Sequence, residues 1–325
     1  MLASWLCFAN PQITDANLQP GHTMCIFSLP ILSVGDTRIF ARFSGKGTQF
    51  LVYQMTYESE NENAMILPIP VRQPAEEKSV RFINLEDYEG FFDTLNVGFP
   101  IKPRIQLGCG EFSLSASKDS LSVVEVGSYV ASFVPTMEDF DRLDERFVLP
   151  KEVWNQLPQY ADYGFAVFQL KDGNRKPHPM AFEFETRDES ELFFPTVHIH
   201  DGEVHEKEFF QHLLYMQHAG FDSRVGGYVN ADIKDVATGV IRSDSVAGEF
   251  CDIDRAEGVL KNDLLLHRKI VMGEYENVDF TIPAIGHPTE KSFNWRRIQW
   301  MWPWVAVAGC IAWFFARRSR LKRKQ

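Results

Sequence analysis

Short segments in which apolar and polar residues alternate recur along most of this 325-residue chain. The clearest are GFAVFQL at 164–170 and MAFEFET at 180–186, where every second side chain would lie on one face of a strand. A period of two is incompatible with an amphipathic helix, so this pattern restricts the chain to a strand-rich fold. We expect these two segments to be antiparallel neighbours joined by the turn between them.

Further strands are predicted where β-branched and aromatic residues lie between turn-forming residues. They cover residues 39–43, 49–57, 64–70, 79–85, 121–135, 267–275 and 278–282. Short helices are expected at 86–95, 137–147 and 151–157, the last beginning after Pro150. The predicted fold class is mainly β with a few short helices, a β-rich α+β fold with antiparallel sheets.

One or two subdomains are compatible with this order of elements. Residues 107–120 are rich in Gly and Ser, which favours a linker. We therefore predict an N-terminal β-rich subdomain at 1–106 and a second one at 121–290 that carries the short helices.

Histidine is concentrated in one stretch, FFPTVHIHDGEVHEKEFFQH at 193–212. Asp201-Gly202 is typical of a two-residue hairpin turn, because both residues tolerate positive φ angles. Such a turn would place His198 opposite His205 and His200 opposite Glu203 on one face.

Three imidazoles and a carboxylate within reach of one another are a ligand set that zinc accepts. The hairpin therefore predicts a metal site formed by His198, His200, His205 and Glu203, with zinc as the candidate cofactor and His212 as a further candidate ligand. The alternative is that these side chains are only the polar face of a hairpin whose apolar face packs on the core.

The C-terminal region differs from the rest of the chain. Residues 298–316 contain nineteen residues without a charge, enough to cross about 30 Å of hydrocarbon as a helix. A basic tail follows at 317–325. The sequence thus predicts a single transmembrane helix at 298–316, with the lipid bilayer as a partner.

Charge is divided unevenly along the chain. Residues 291–325 hold nine of the 33 Lys and Arg residues and none of the 44 Asp and Glu residues, so residues 1–290 carry 24 basic and 44 acidic residues, a formal charge of −20. Such an acidic domain argues against nucleic acid as a partner. By the positive-inside rule, the tail is expected in the cytoplasm and the large domain outside it.

Export of the domain requires a signal peptide, and MLASWLCFAN has no basic region ahead of its apolar residues. Two interpretations stay open: a start that truncates a signal peptide, or a cytoplasmic domain held by a tail anchor. Outside the predicted span there are four cysteines, and both disulfides and free thiols are open to Cys7, Cys25, Cys109 and Cys251.

The succession of FLVYQMTYESENENAMILPIP, VEVGSYVASFVP and GFAVFQL, followed by a terminal apolar segment and a basic tail, resembles a family of uncharacterised bacterial exported proteins. The resemblance implies a β-rich domain with one C-terminal membrane helix. It implies no activity and no catalytic residues.

Two classes of function follow from these features. The first is a membrane-anchored interaction or structural domain with a protein partner. The second is a metal-dependent protein, such as a zinc hydrolase that uses the 198–205 hairpin. The sequence leaves open whether the protein is an enzyme.

Overall fold

A computed structural model describes residues 25–100, 124–126, 129–199, 201–225 and 235–290 of the chain. Strands are the dominant element, as the alternating pattern predicted. They are β1 (Ile26–Phe27), β2 (Ser33–Phe43), β3 (Thr48–Ser59), β4 (Asn63–Ile69), β5 (Val80–Asn84), β6 (Val124–Val126), β7 (Tyr129–Val134), β8 (Gly164–Leu170), β9 (Gly173–Arg175), β10 (Met180–Glu185), β11 (Glu191–Phe194), β12 (Lys207–Met216), β13 (Ile241–Val246), β14 (Leu265–Glu276) and β15 (Phe280–Pro283).

The described strands form two large sheets and one small one. The smaller of the large sheets has the order β1-β4-β8-β7-β6, and the larger has the order β13-β14-β12-β2-β3-β10-β5 with β9 added beside β3. Strands β11 and β15 pair separately. Neighbouring strands run antiparallel as expected, except that β12 lies parallel to β2.

The two large sheets pack face to face around a common apolar core. Phe168 of the five-stranded sheet lies 5.7 Å from Phe82 and 6.0 Å from Phe182, both of the eight-stranded sheet, measured between ring centroids. All strands of a sandwich alternate between this interior and the opposite face, which explains the period of two in the sequence.

Short helices cover the outer faces of both sheets. Helix α1 (Phe91–Val97) lies on the eight-stranded sheet, where Phe91 contacts Phe40 with ring centroids 5.9 Å apart. Helix α2 (Lys151–Trp154) lies on the five-stranded sheet, where Trp154 lies 5.0 Å from Phe165. A third helix, α3 (Ala219–Arg224), follows β12.

The helices are shorter than the sequence predicted. The expected helix at 137–147 is two 3₁₀ segments, Met137–Arg142 and Glu145–Phe147, because Leu143 takes an extended conformation between them. The 86–95 region begins with a 3₁₀ turn, Glu86–Tyr88, before α1. Phe140 and Phe147 order the 137–147 segments by packing on the five-stranded sheet, whereas Tyr88 packs on the eight-stranded sheet.

The expected pairing of 164–170 with 180–186 is wrong. Strand β8 pairs with β4 and β7, whereas β10 pairs with β3 and β5 in the other sheet. The connection between them leaves one sheet for the other, and β9 within it pairs with β3. Alternation shows that a segment is a strand with one buried face, but it does not specify the neighbour that buries it.

Strands of both predicted subdomains share the same sheets, as in the pairs β3–β10 and β4–β8. The predicted linker at 107–120 lies outside the described residues, and the boundaries 1–106 and 121–290 stay a prediction.

The predicted fold class also included a transmembrane helix, and this part needs correction. No helix within the described residues is long and apolar enough to cross a membrane. The segment 298–316 and the tail at 317–325 lie outside them. The architecture that the structure supports is a mainly β domain without a membrane helix among its described elements, and a lipid-bilayer partner has no support in it.

Candidate protein-binding surface

The predicted histidine hairpin does not form. The backbone at Ile199 instead lies parallel to β1: its N–H donates to the carbonyl of Cys25, and its carbonyl accepts from the N–H of Phe27, both at 2.9 Å. Strand β12 begins at Lys207 and pairs with β14 and β2. Thr196 therefore does not face Lys207, and the register that would align the histidines is absent.

His198 and His212 lie in the interior rather than on a polar face. His198 is fully buried, with its ring 4.4 Å from that of Phe210 and 5.4 Å from that of His212. Asn277 holds the backbone here: its Oδ1 accepts from the N–H of His198 at 2.8 Å, and its Nδ2 donates to the carbonyls of His198 and His205. Burial lowers the pKa of His212 to about 3. Both rings are part of the core.

His205 lies on the surface instead. Its Nε2 is 2.8 Å from Oδ2 of Asp201, and this hydrogen bond raises the pKa of His205. Glu203 is exposed in the same loop, and its N–H donates to Oδ1 of Asp201. Residues 201–203 form a bend, with Gly202 at a φ of 87°, and the segments on either side of it separate.

The metal site therefore needs correction. No group of three or more His, Cys, Asp or Glu side chains in the described part of the chain could hold a metal ion. Two of the predicted ligands, His198 and His205, occupy a buried and an exposed position respectively, and Glu203 faces solvent. His200 lies outside the described residues. The zinc that this ligand set implied is not supported.

A partly buried carboxylate that sequence patterns did not identify organises this region. Asp279 accepts hydrogen bonds from the N–H groups of Thr196 and Val197, at 2.7 and 3.2 Å, and from the hydroxyl of Tyr160 at 2.7 Å. Burial raises the pKa of Asp279 to about 6, and these three donors oppose the shift. Asp279 therefore holds the segment between β11 and Ile199, the residue whose backbone pairs with β1.

An apolar surface is exposed on the outer face of β12 and β14. Ile270 and Met272 of β14 are 55% and 56% exposed, and Phe209 of β12 is 37% exposed. Leu213 is half-buried and pairs with Ile270 across the two strands. We call Phe209, Leu213, Ile270 and Met272 the open face.

Helix α1 covers the adjoining part of the same sheet face. Tyr215, two residues after Leu213, lies 5.8 Å from Phe92 and 6.1 Å from Phe99 between ring centroids. At the boundary, Arg268 lies 4.4 Å above the ring of Phe99, and its Nη1 donates to Asn96. The open face begins where this cover ends.

Ion pairs lie near the open face on both sides. Arg38 of β2 bridges Asp36 and Asp93, at 2.8 and 2.5 Å. Lys207 lies 3.8 Å from Glu274 at the far end of the β12–β14 pair. An apolar centre with a charged rim is the usual arrangement of a protein–protein contact surface.

Part of the edge of β14 beside this face has no strand partner among the described residues. Strand β13 pairs with β14 from Leu265 only as far as Arg268. Within the described ranges, residues 269–276 have no strand partner on that side. An exposed apolar face next to an unpaired edge is an arrangement that protein partners use.

The sequence pattern did not predict this exposed surface. The segment 267–275 was predicted as a strand, but apolar residues occur on both of its faces. Val271 is 1% exposed, whereas its neighbours Ile270 and Met272 are more than half exposed.

No family model matches the chain, and no curated protein matches it. Among solved structures, it is similar to baculovirus P35, with 15% identity and a TM-score of 0.42 over 80% of this chain and all of that one. It is also similar to a mutated baculovirus P35 after caspase cleavage, with 15% identity and a TM-score of 0.39 over 77% of this chain and 99% of that one. A third similar structure is the caspase-8/P35 complex, with 13% identity and a TM-score of 0.38 over 77% and 96%. None of these structures concerns a bacterial exported family, so that resemblance stays a prediction.

Proposed function

We propose that this protein is an interaction module that binds another protein through the open face. The observation that carries the proposal is the exposure of Ile270 and Met272 on a sheet whose neighbouring surface is covered by α1. Contiguous exposed apolar side chains with a polar rim mark interaction sites in soluble domains.

The partner is expected to present an amphipathic helix. Helix α1 shows what this sheet face accommodates, because Phe91 and Phe92 cover Phe40 and Tyr215. A helix beside α1 would bury Ile270 and Met272 in the same way. The −20 formal charge of residues 1–290 favours a partner whose outer rim is basic.

The metal-dependent alternative is not favoured. His212, a further candidate ligand, is buried beside His198 with its pKa lowered to about 3 by burial. His205 is instead engaged by Asp201 at the surface. His212 and His205 therefore have separate structural roles, one in the core and one at the surface.

Fluorescence anisotropy with the full chain tests the proposal. The first probe is an amphipathic helical peptide of leucine and lysine, and its control is a scrambled peptide of the same composition. The helical peptide is expected to bind, and the Ile270→Ser, Met272→Ser double variant is expected to weaken binding about tenfold, the loss of about 1.4 kcal/mol. Because one of the similar structures is a complex with caspase-8, that protein is included as a second probe.

Further variants control for effects of the introduced charge and for loss of folding. Ile270→Lys is compared with Leu32→Lys, because Leu32 is 52% exposed and lies on a different part of the domain. Only Ile270→Lys should reduce binding, while both variants keep the melting temperature of the wild type. Equal binding of the helical and scrambled peptides, or an equal loss in both lysine variants, would refute a binding site on the open face.

A further inference from the structure

A groove lies where the two large sheets separate, on a different side of the sandwich from the open face. It has a volume of about 320 Å³. Its walls come from β5 of the eight-stranded sheet, from β7 of the five-stranded sheet and from the 3₁₀ segment Met137–Arg142. We call it the seam groove, and its lining is Glu77, Val80, Phe82, Ala131 to Pro135, Asp139, Arg142 and Leu143.

Strand β5, which borders the seam groove, lies at the end of its sheet among the described strands. It pairs only with β10 within the described residues. Backbone N–H and C=O groups of an edge strand are the groups to which an added strand binds.

The floor of the groove is apolar and continuous with the core. Phe82 is half-buried and contacts Phe168 edge to face, with ring centroids 5.7 Å apart. Phe133 packs so closely on Gly164 that a Cβ there would lie 2.6 Å from its ring. Alternate side chains of an extended peptide would enter this floor.

One end of the groove is acidic. Arg142 contacts both Glu77, at 2.6 Å, and Asp139, at 3.3 Å, and Asp139 also accepts from the hydroxyl of Thr136. Two carboxylates therefore share one guanidinium, which leaves a net negative charge. A basic residue on the ligand would complement this end and the acidic domain as a whole.

We propose that the seam groove binds an extended peptide segment of a second protein, which adds as a strand to the open edge of β5. Its apolar side chains alternate toward Phe82 and Phe133, and a lysine or arginine lies beside Glu77 and Asp139. This site is separate from the open face and does not depend on the function proposed for that surface.

The test uses the full chain and a fluorescein-labelled peptide, Lys-Val-Thr-Val-Thr-Val-Lys. Two N-methylated versions serve as ligand controls, each with alternate amides blocked. Strand addition requires the N–H groups on only one side of the peptide, so one version should lose binding at least about tenfold while the other binds nearly as the parent does. Equal affinity of all three peptides would exclude backbone pairing.

Protein variants locate the site. Glu77→Lys places a cation beside the basic residue of the ligand and should weaken binding about tenfold, whereas Glu77→Gln should weaken it about threefold. Glu60→Gln is the matched control, because Glu60 is exposed on another part of the domain. Unchanged affinity in Glu77→Lys at an unchanged melting temperature would overturn the proposal.

The two surfaces are distinguished by testing each peptide on the variant that alters the other site. The Ile270→Ser, Met272→Ser variant should bind the strand peptide normally, and Glu77→Lys should bind the helical peptide normally. Loss of strand-peptide binding in the open-face variant would contradict a separate site in the seam groove.

Discussion

The rings of His198 and His212 stack with centroids 5.4 Å apart and planes 16° from parallel. They come from different elements, since His198 precedes the 201–203 turn and His212 lies in the middle of β12. Both are buried, and Phe210 packs against each ring. A charged imidazole in this stack would have lost most of its hydration, so the interior favours the neutral form of His212.

Acid should destabilise the domain partly through His212. Its pKa is lowered by burial to about 3, below the unfolded value of 6.5, so its stabilising contribution is present above pH 6.5 and is lost as the pH falls towards 3. In His212→Leu, the free energy of unfolding should fall less steeply with decreasing pH than in the wild type. The two slopes should differ by about 1.4 kcal/mol per pH unit over this range. Urea unfolding between pH 7 and 4 measures the two slopes.

His205→Leu is the control for this comparison. His205 is on the surface, and its ion pair with Asp201 is 40% and 44% exposed on the two side chains. Exposed pairs contribute little, so its unfolding curve should follow the wild type within about 0.5 kcal/mol. A His212→Leu slope equal to that of the wild type would contradict the neutral buried imidazole.

Asp279 should be important for stability although it lies in no predicted site. Removal of its side chain in Asp279→Ala leaves two backbone N–H groups and the hydroxyl of Tyr160 without their acceptor. We expect a loss of about 2–4 kcal/mol in the free energy of unfolding. Asp279→Asn keeps one carbonyl oxygen as an acceptor and should lose less, which chemical denaturation would show. Equal losses in the two variants would argue against the hydrogen bonds as the cause.

The pH dependence of Asp279 has the opposite sign to that of His212. Burial raises its pKa to about 6 from 3.8, so its contribution to stability is fully present below pH 3.8 and is lost as the pH rises through 6. Asp279→Asn lacks this loss. The unfolding free energy of the variant, relative to the wild type, should therefore increase between pH 4 and pH 6.5. A difference that is constant with pH would indicate a carboxylate that ionises normally in the folded protein.

Gly220 should tolerate no side chain. A Cβ built at this residue of α3 would lie 1.3 Å from the carbonyl oxygen of Ile285, so the backbone would have to move. Gly220→Ala should lower the free energy of unfolding by about 3 kcal/mol or more. Gly90→Ala, just before α1, is the matched control because no atom lies within 4 Å of its Cβ position. Similar melting temperatures for the two variants would show that α3 can move away from Ile285.

The thiols of Cys25 and Cys251 should resist modification in the folded protein. Both are free and buried, and burial raises the pKa of Cys251 to about 12 and that of Cys25 further. Cys25 Sγ also lies 2.7 Å from the hydroxyl of Tyr53. In a variant with Cys7, Cys109 and Cys310 replaced by serine, a thiol reagent should label neither residue until denaturant is added. Rapid labelling under native conditions would contradict their burial.

Local sequence identified several of the strands, although β11, β13 and most of β12 were not predicted. Residues 164–170 and 180–186 were predicted as strands from their alternation, and the structure has strands at Gly164–Leu170 and Met180–Glu185. The prediction succeeded because side-chain alternation is a property of the strand itself and requires no knowledge of its neighbours. The hairpin turn predicted at Asp201-Gly202 is wrong, because this residue pair permits a change of chain direction but does not decide whether the flanking segments pair.

Tertiary structure alone decided which strands pair and which faces are exposed. The bend at Asp201-Gly202 does not join two paired strands. Ile199 pairs with β1, and β12 pairs with β14 and β2, which are far away in the sequence. These pairings bury His198 and His212 and leave Ile270 and Met272 outside. A strand pattern records how one segment alternates, whereas burial depends on the sheets and helices that finally cover each face. The open face and the seam groove form where that cover ends, so the sequence alone could not predict them.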